Sequence, residues 1–417
     1  MSRIAIAAAF VAALLGGACP RPSYAQAASA QPGWIASWAT SPQVGEADAD
    51  EPLANLDGQT VRQRVRMSVG GARLRVRLSN EFGSSPLTIG SASVAVATDA
   101  STVEPGSLRP LTFGGNSSVS VPAGAPMLSD PVELEVAPGA QVSISLFFPE
   151  RVASSTLHSL ALKHAVVSVP GDHTREVNIV PAATSTSSIA LTAVLVPQVR
   201  SQRLLVAFGD SITDGAGSTT DADRSWPAQF AQRVAAADPG LSVVNAGIAG
   251  NQLSHEGYGA SGLARFDRDV LSLPGVTHLV LLEGINDIAA PGVKIGSRYF
   301  APPTEVRTAE QVIGAYRQLI ARAHDHGIKA IGATLTPFAG NTVPGFYSPQ
   351  KEAARQAVNA WIRNSGAFDA VIDFDAVLRD AEHPLQLQAR FASRDRLHPN
   401  DAGYAAMADA IDIAVFR

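Results

Sequence analysis

Apolar and polar positions alternate through much of the first half of the chain, and this period of two predicts β-strands with one buried face. Between residues 61 and 69, valine and methionine alternate mainly with arginine, and a second alternating run covers 74–78. Gly70-Gly71 separates the two runs and indicates a β-hairpin. The arginine row is interpreted as a solvated strand face, with binding of an acidic polymer as the alternative.

Further strand-like runs fill the rest of the first half. They cover residues 132–136, 142–148 and 189–196, with Gly, Pro, Asn and Asp between them. Because no helical period appears here, we expect residues 31–196 to form an all-β, sandwich-like domain. A linker is expected at 197–202.

From residue 203 the pattern changes to short apolar runs that alternate with stretches of helical period. The predicted buried strands are 204–208, 241–245, 276–282, 328–335 and 371–374. The predicted helices are 226–237, 261–272, 308–326, 349–365 and 400–415. This order predicts a three-layer α/β/α domain with a parallel sheet at 203–417. Ligands bind such sheets at the carboxyl ends of the strands.

The first residues have the pattern of an export signal. A positively charged start precedes an apolar run at 4–15, and Ala25-Gln26-Ala27 is an A-x-A cleavage site. We therefore expect a signal peptide at 1–27 and a secreted or periplasmic protein. The apolar run is too short to span a membrane, although a buried N-terminal helix is an alternative. Under another interpretation, Cys19 is a lipoprotein acylation site.

Composition narrows the classes of function. Hydrophobic residues make up 46% of the chain and charged residues 17%, which is typical of a folded globular protein. The net charge is −5 and no long Lys/Arg run occurs, so we expect neither nucleic-acid binding nor a polybasic membrane contact. Because the only cysteine lies in the predicted signal, no disulfide or thiolate metal site is expected. We expect no metal or other cofactor.

Two motifs carry the residue types of nucleophilic catalysis. Ser211 lies in Gly209-Asp210-Ser211, directly after the first predicted strand of the second half. Asp395 and His398 lie three positions apart, just before the last predicted helix. A serine nucleophile needs a nearby base, and the base needs an orienting acceptor. Histidine titrates near neutral pH and suits the base role, although each motif alone is also typical of a surface turn.

Two further segments offer hydrogen-bond donors. Residues 245–251 follow the second strand of the predicted parallel sheet, and residues 284–287 follow the third. Hydrolysis of an ester places negative charge on the carbonyl oxygen, which preorganised N–H groups stabilise. Glycine allows close approach of the backbone, and an asparagine side chain supplies donors. Each segment alone is a common turn, but the four motifs after strands of one sheet indicate a hydrolytic site.

These segments resemble the SGNH branch of the GDSL esterase/lipase family. The four letters of its name match Ser211, Gly250, Asn286 and His398. The resemblance covers about 203–417, and Ile212 stands where the family name has leucine. No G-x-S-x-G motif is present, which argues against the α/β-hydrolase fold.

The resemblance implies a role for each of these residues. Ser211 is the nucleophile, His398 is the base, and Asp395 orients His398. The N–H groups of Ser211 and Gly250, with the side chain of Asn286, form the oxyanion hole. The protein is then a carboxylic-ester hydrolase that works through an acyl-enzyme.

The substrate is less constrained than the reaction. Residues 262–269 and 334–338 resemble a subgroup of secreted bacterial esterases that carry an N-terminal β domain and are linked to plant-polysaccharide breakdown. This favours short acyl esters, such as acetyl groups on small molecules or polysaccharides. A lipase or lysophospholipase, or acyl transfer to a sugar hydroxyl, is the alternative. Residues 290–304 are expected to form a loop beside the catalytic face, and His255 either lines the cleft or has a surface role.

A function of a different class is a non-catalytic glycan-binding protein. In that case Trp34 and Trp38 of the β domain would stack on sugars, whereas otherwise they pack in the core. The complete set of Ser211, Asp395 and His398 favours the enzyme.

Overall fold

The alternating sequences of the first half form antiparallel strands that share a core. A computed structural model describes residues 33–45, 51–152 and 156–417, so the predicted signal peptide at 1–27, with Cys19, lies outside the described residues. The strands of this half are β1 (Trp34–Ala39), β2 (Gln43–Val44), β3 (Gln59–Arg66), β4 (Gly71–Ser79), β5 (Leu87–Ile89), β6 (Ser91–Val96), β7 (Arg109–Pro110), β8 (Val119–Val121), β9 (Pro126–Leu128), β10 (Val132–Val136), β11 (Gln141–Phe148), β12 (Thr156–His158), β13 (Ala165–Pro170), β14 (Pro181–Ser185), β15 (Ser188–Ile189) and β16 (Leu191–Pro197).

Two antiparallel sheets contain most of these strands. In one sheet the order is β1-β16-β4-β10, with β9 also paired to β4, and in the other it is β14-β13-β3-β11-β6-β7. Leu74 and Val76 of the first sheet and Val61 and Ile144 of the second are buried in one hydrophobic cluster. The prediction of an all-β region before the parallel sheet is confirmed.

The predicted hairpin at Gly70-Gly71 is wrong, because the strands on either side of it belong to different sheets. Strand β3 pairs with β11 and β13, whereas β4 pairs with β16, β10 and β9. The solvated-face interpretation is also wrong for β3. Arg62 is fully buried, and its guanidinium donates to the carbonyl oxygens of Ser101 and Val177.

The second half contains short apolar strands that alternate with helices. Its strands are β17 (Arg203–Gly209), β18 (Leu241–Gly247), β19 (Val276–Leu282), β20 (Lys294–Ile295), β21 (Arg298–Tyr299), β22 (Lys329–Ala333) and β23 (Ala370–Ile372). Its helices are α1 (Ser211–Asp214), α2 (Trp226–Ala237), α3 (Gly262–Phe266), α4 (Ile285–Ala289), α5 (Ala309–Asp325), α6 (Pro349–Asn364), α7 (Phe374–Leu378) and α8 (Asp401–Asp409).

One parallel sheet, with the order β18-β17-β19-β22-β23, forms the centre of this half. The helices contact one another in two groups, with α2, α7 and α8 in one and α3, α4, α5 and α6 in the other. The predicted α/β fold class with a three-layer α/β/α arrangement is confirmed. The sheet also brings the segments that follow β17, β18 and β19 to the same edge.

Two predicted elements end earlier than expected. The strand predicted at 371–374 is shorter because Asp373 caps α7, accepting a backbone N–H at 3.1 Å, and the chain turns there into the helix. The helix predicted at 400–415 ends early as α8, and a separate 3₁₀ turn capped by Asp412 follows it.

The two halves pack on each other where strand β1 contacts strand β18. Ser242 Oγ donates to the carbonyl oxygen of Ala36 at 2.7 Å. Gly33–Arg417 group as one compact unit, so the division into domains at 197–202 stays a prediction. Among the described residues, no helix has the length and apolar character needed to cross a membrane.

Candidate active site

Ser211 lies in a tight turn between strand β17 and helix α1. A Cβ on Gly209 would lie 2.2 Å from the carbonyl oxygen of Leu282, so only glycine fits at the end of this strand. Asp210 caps α1, because its Oδ1 accepts the N–H of Ile212 at 3.0 Å. The turn therefore places Ser211 at the first position of the helix, above the end of strand β17.

The structure brings together the three residues of the two predicted catalytic motifs. Ser211 Oγ lies 2.8 Å from His398 Nε2, and His398 Nδ1 lies 2.6 Å from Asp395 Oδ2. The other oxygen of Asp395 accepts the Ser393 hydroxyl at 2.6 Å and the Leu397 N–H at 2.9 Å. One carboxylate thus fixes both the turn and the orientation of the imidazole.

Asp395 is held in its charged form. Burial alone would raise its pKa, but the hydrogen bond and charge of His398, with the Ser393 hydroxyl, hold the pKa of Asp395 well below its ordinary value. A carboxylate in this position can stabilise an imidazolium that forms on His398.

The three predicted oxyanion donors follow the adjacent strands β17, β18 and β19. Asn286 Nδ2 donates to the carbonyl oxygen of Asn251 at 2.9 Å, which fixes the amide beside the segment that carries Gly250. Gly250 has a φ of +77°, and a Cβ there would lie 2.8 Å from the ring of Tyr258. The described residues offer no acceptor to the backbone N–H of Ser211 or of Gly250. Both groups are therefore available to a ligand oxygen.

The β region supports the segment that carries Gly250. His158, at the end of β12, lies 2.9 Å from the Ser41 carbonyl oxygen through Nδ1 and 3.0 Å from Asp214 Oδ1 through Nε2. Asp214 ends α1, and its Oδ2 accepts the Ala249 N–H at 2.9 Å. Burial alone would lower the pKa of His158, but the attraction of Asp214 raises it, which favours an ion pair.

Arg265 makes a second connection between the two halves. Its buried guanidinium donates to Gly209 O, Ala246 O, Asn251 Oδ1 and Ser41 Oγ. Asp269 lies 3.1 Å away and supplies a counter-charge in the interior, and Glu283 lies 3.4 Å away. Sequence reasoning missed Arg265, His158 and Asp214, although Arg265 lies within the 262–269 segment that resembles the esterase subgroup.

Three buried carboxyl groups lie near the ends of β17 and β19. Burial raises the pKa of Asp210 to about 7 and that of Glu283 to about 8, and it also raises the pKa of Asp287. A neutral carboxyl avoids the cost of an uncompensated charge in the interior. Asp287 accepts the Leu253 N–H at 2.7 Å and the Ser254 hydroxyl at 2.9 Å, and so connects α4 to the segment after β18.

An aromatic pair borders the predicted oxyanion hole. The rings of Tyr258 and Phe300 stack with their centroids 4.9 Å apart. A Cβ on Gly250 would lie 3.1 Å from Phe300, so both rings are close to this backbone. Phe300 belongs to the 290–304 segment, which also contains the exposed hairpin β20–β21. This segment therefore borders the site, as its predicted place beside the catalytic face implies.

His255 lies after Gly250 and contacts Arg307, whose guanidinium nitrogen is 2.8 Å from His255 Nδ1. Its ring is thereby held by a cation, and its hydrogen bonds are with Ser254 and Arg307. Among the described residues, no group of three or more His, Cys, Asp or Glu side chains is placed to hold a metal ion.

Comparison with known proteins identifies the class. Residues 207–406 match the GDSL-like Lipase/Acylhydrolase family, and this part of the chain is a domain of that family. The predicted family and the prediction of an ester-hydrolysing enzyme are confirmed at this level. The comparison with curated proteins finds no significant match.

Several solved structures resemble about half of the chain. The chain is similar to a GDSL-like lipase from Bacteroides thetaiotaomicron, with 20% identity over 52% of this chain and 90% of that one, at a TM-score of 0.39. It is similar to the lipase/acylhydrolase from Enterococcus faecalis, with 22% identity over 50% of this chain and 93% of that one, at a TM-score of 0.37. For the aryl esterase from M. smegmatis the identity is 13% over 50% and 95%, at a TM-score of 0.39.

Proposed function

We propose that this protein is an exported serine carboxylic-ester hydrolase in which Ser211 is the nucleophile, His398 the base and Asp395 its orienting acceptor. The observation that carries the proposal is the continuous contact of these side chains, with distances of 2.8 Å from Ser211 Oγ to His398 Nε2 and 2.6 Å from His398 Nδ1 to Asp395 Oδ2. Export rests on the signal pattern at residues 1–27.

The reaction has two similar steps. Ser211 Oγ attacks the ester carbonyl carbon while its proton moves to His398 Nε2, and the carbonyl oxygen becomes an oxyanion. His398 then gives this proton to the departing alkoxide, which leaves as the alcohol. Water repeats the attack on the acyl-enzyme, again with His398 as the base, and releases the carboxylic acid and free Ser211.

The oxyanion is stabilised by donors that are already in place. The N–H groups of Ser211 and Gly250 have no protein acceptor among the described residues. The amide of Asn286 is fixed by the Asn251 carbonyl oxygen. A donor that needs no reorientation stabilises the transition state more than the ground state, and each such donor contributes roughly 100- to 1,000-fold to kcat.

We propose a short acyl group, such as acetyl, on a small molecule or a polysaccharide. Ile285, which precedes Asn286 in the chain, is buried with Ala289 and Phe338 in one packed apolar cluster, which favours a short acyl group over a long chain. Tyr258 is 39% exposed at the rim, and an aromatic face there suits a sugar or aryl ring of the alcohol part. A lipase or lysophospholipase would need space for a long chain.

The packing of the β-region tryptophans disfavours the glycan-binding alternative. Trp34 and Trp38 are partly buried against the hydrophobic core. The Arg75 guanidinium carbon lies 4.3 Å from the centroid of the Trp34 ring and occupies one of its faces. The two tryptophans on which the glycan-binding interpretation depends are therefore in contact with other protein side chains.

The test is hydrolysis of p-nitrophenyl esters from acetate to palmitate by the wild type and by Ser211→Ala. We expect the wild type to prefer the short esters and the variant to lose at least about 10⁴-fold in kcat, since the nucleophile is gone. The matched control is Ser272→Ala, which removes an exposed hydroxyl bonded to the Arg268 carbonyl oxygen and is expected to retain activity. Circular dichroism of each variant checks the fold.

Each alternative gives a different result. Activity that survives in a folded Ser211→Ala protein would assign the nucleophile elsewhere. A preference for palmitate would favour lipid esters. Absence of activity in the wild type on every ester would contradict the proposed reaction.

A further inference from the structure

A cavity of about 160 Å³ lies between the antiparallel β region and the parallel-sheet region. Ser211, Gly250, Asn286 and His398 are not among its lining residues, whereas His158 and Asp214, which support the segment that carries Gly250, lie in its wall. Much of its wall is apolar and includes Met67, Leu160, Leu162, Ala228, Ala231 and Val243. An apolar cavity of ~150 Å³ holds a molecule the size of benzene.

The remaining wall carries more positive than negative charge. Arg64 NH2 lies 3.0 Å from Asp221, and Arg66 Nε lies 2.7 Å from Asp223. Lys163 Nζ lies 2.8 Å from the same Asp223 oxygen that Arg66 contacts. Within this group three cations share two carboxylates, which leaves an excess of one positive charge. Arg224 also lines the cavity and adds to this excess, His164 is a further contact of Asp221, and Asp214 in the wall is paired with His158. Arg64, Arg66, Lys163 and Asp223 line the cavity directly.

The side chains that carry this excess charge are largely buried. The side chains of Arg64 and Lys163 are each 13% exposed. Arg64 Nε is buried and has no hydrogen-bond partner among the described residues. Burial lowers the pKa of Lys163, and the nearby guanidinium groups lower it further against the attraction of Asp223. Burying a cation without enough counter-charge costs free energy, so an anion bound in the cavity would be stabilised by this group.

Backbone strain is concentrated in the same place. Asp221 and Asp223 have φ values of 65° and 53°, and Leu162 has a φ of 51°. Each is a non-glycine residue in the left-handed region, which costs roughly 1–2 kcal/mol. The strained segments hold both carboxylates and one apolar wall of the cavity. Such strain is found preferentially at ligand-binding and functional positions.

We propose that this cavity is a second binding site for a small organic monocarboxylate with an apolar body, of about the size of benzoate. The carboxylate balances the excess positive charge of the Arg64, Arg66 and Lys163 group, and a guanidinium can bind it through paired N–H donors. The ring or short aliphatic body lies on the Met67 and Leu160 side. The site is independent of whether Ser211 is the nucleophile.

Isothermal titration of the full chain with benzoate tests the proposal. We expect one site per chain with a Kd on the order of 1 mM or tighter, as befits a ligand of about nine heavy atoms. Benzyl alcohol, which has the same body without the charge, is expected to bind at least tenfold more weakly. Lys163→Met removes the excess charge and is expected to weaken benzoate binding at least tenfold, whereas Lys329→Met is the control.

A second variant separates loss of the site from loss of the fold. Ala231→Phe fills the cavity from helix α2 without touching the ion pairs, and we expect it to abolish benzoate binding while the thermal unfolding midpoint stays near the wild-type value. Absence of benzoate binding to the wild type would overturn the proposal. Equal binding of benzyl alcohol would overturn its anionic character, and unchanged binding by both Lys163→Met and Ala231→Phe would place the carboxylate elsewhere.

Discussion

Asp214 offers a direct test of how the β region supports catalysis. Its two carboxylate oxygens contact different halves of the protein: Oδ1 lies 3.0 Å from His158 Nε2, and Oδ2 accepts the Ala249 N–H at 2.9 Å. Ala249 precedes Gly250, whose N–H is a predicted oxyanion donor. In Asp214→Ala both contacts are lost, and the segment that presents this donor is no longer held from either side.

The expected magnitude follows from the bond that is removed. A hydrogen bond to a charged acceptor contributes about 1.5–3 kcal/mol, and about 1.4 kcal/mol corresponds to a factor of ten in rate. If this energy holds the Gly250 N–H in place for the oxyanion, kcat falls roughly 10- to 150-fold. Complete loss of one oxyanion donor, about 100- to 1,000-fold, sets the upper limit. Because the oxyanion forms only during the reaction, KM should change little.

The assay is steady-state hydrolysis of p-nitrophenyl acetate, with kcat and KM determined separately. Asp214→Asn is the variant for comparison, because its amide oxygen can still accept the Ala249 N–H. We expect this variant to keep most of the wild-type kcat. Asp409→Ala, at the exposed end of α8, is the matched control. The thermal unfolding midpoint of each variant separates a local from a global effect.

Two results would refute this reasoning. A folded Asp214→Ala enzyme with wild-type kcat would show that the Ala249 contact does not matter for the oxyanion. Equal losses of kcat in the Ala and Asn variants would show that the charge of the pair, rather than the hydrogen bond to the segment, is the important term.

Two further predictions concern Gly250 and Asp210. Gly250→Ala would place a Cβ 2.8 Å from Tyr258 at a φ of +77°, so we expect kcat/KM for p-nitrophenyl acetate to fall at least about tenfold. A wild-type value would show that the Gly250 backbone is not part of the oxyanion hole. Burial raises the pKa of Asp210 to about 7. The protonated Asp210 side chain therefore contributes fully to stability below about pH 4, which is the ordinary pKa of an aspartate. This contribution is lost as the pH rises to 7. Asp210→Asn keeps the cap without the charge. Urea unfolding at pH 5 and pH 8 should therefore show a smaller fall in unfolding free energy than in the wild type, by about 3 kcal/mol at most, since only the two pH units from 5 to 7 contribute. An equal fall in both proteins would contradict the assignment.

Local signals in the sequence single out Ser211 and His398, which the structure brings into contact, because each signal lies within a few residues. The catalytic roles of the two residues stay a prediction. Ser211 follows an apolar strand directly, and His398 lies next to its own orienting carboxylate, so no knowledge of distant packing is required. The same holds for element bounds that depend on nearby residues. Helix α2 and strand β19 have the predicted bounds, and a carboxylate cap, Asp373, decides where β23 ends.

Features that depend on distant partners were not predictable in this way. The Gly70-Gly71 pair has the composition of a hairpin turn, but β4 pairs with β9, β10 and β16 instead of β3, and β16 lies more than a hundred residues later. Arg62 looks solvated in an alternating strand, and its burial becomes clear only once the carbonyl oxygens of Ser101 and Val177 are seen around it. A row of equivalent arginines gives no local sign of which one is buried.

The domain division expected at 197–202 stays a prediction. Antiparallel strands precede this segment and the parallel sheet follows it. Asp214 and Arg265, both close to the candidate active site, receive contacts from His158 and Ser41 of the β region. Without that region Asp214 would lose its contact with His158, and Arg265 would lose one of its acceptors. Buried charged groups are costly when partners are removed, so these contacts couple the β region to the candidate active site.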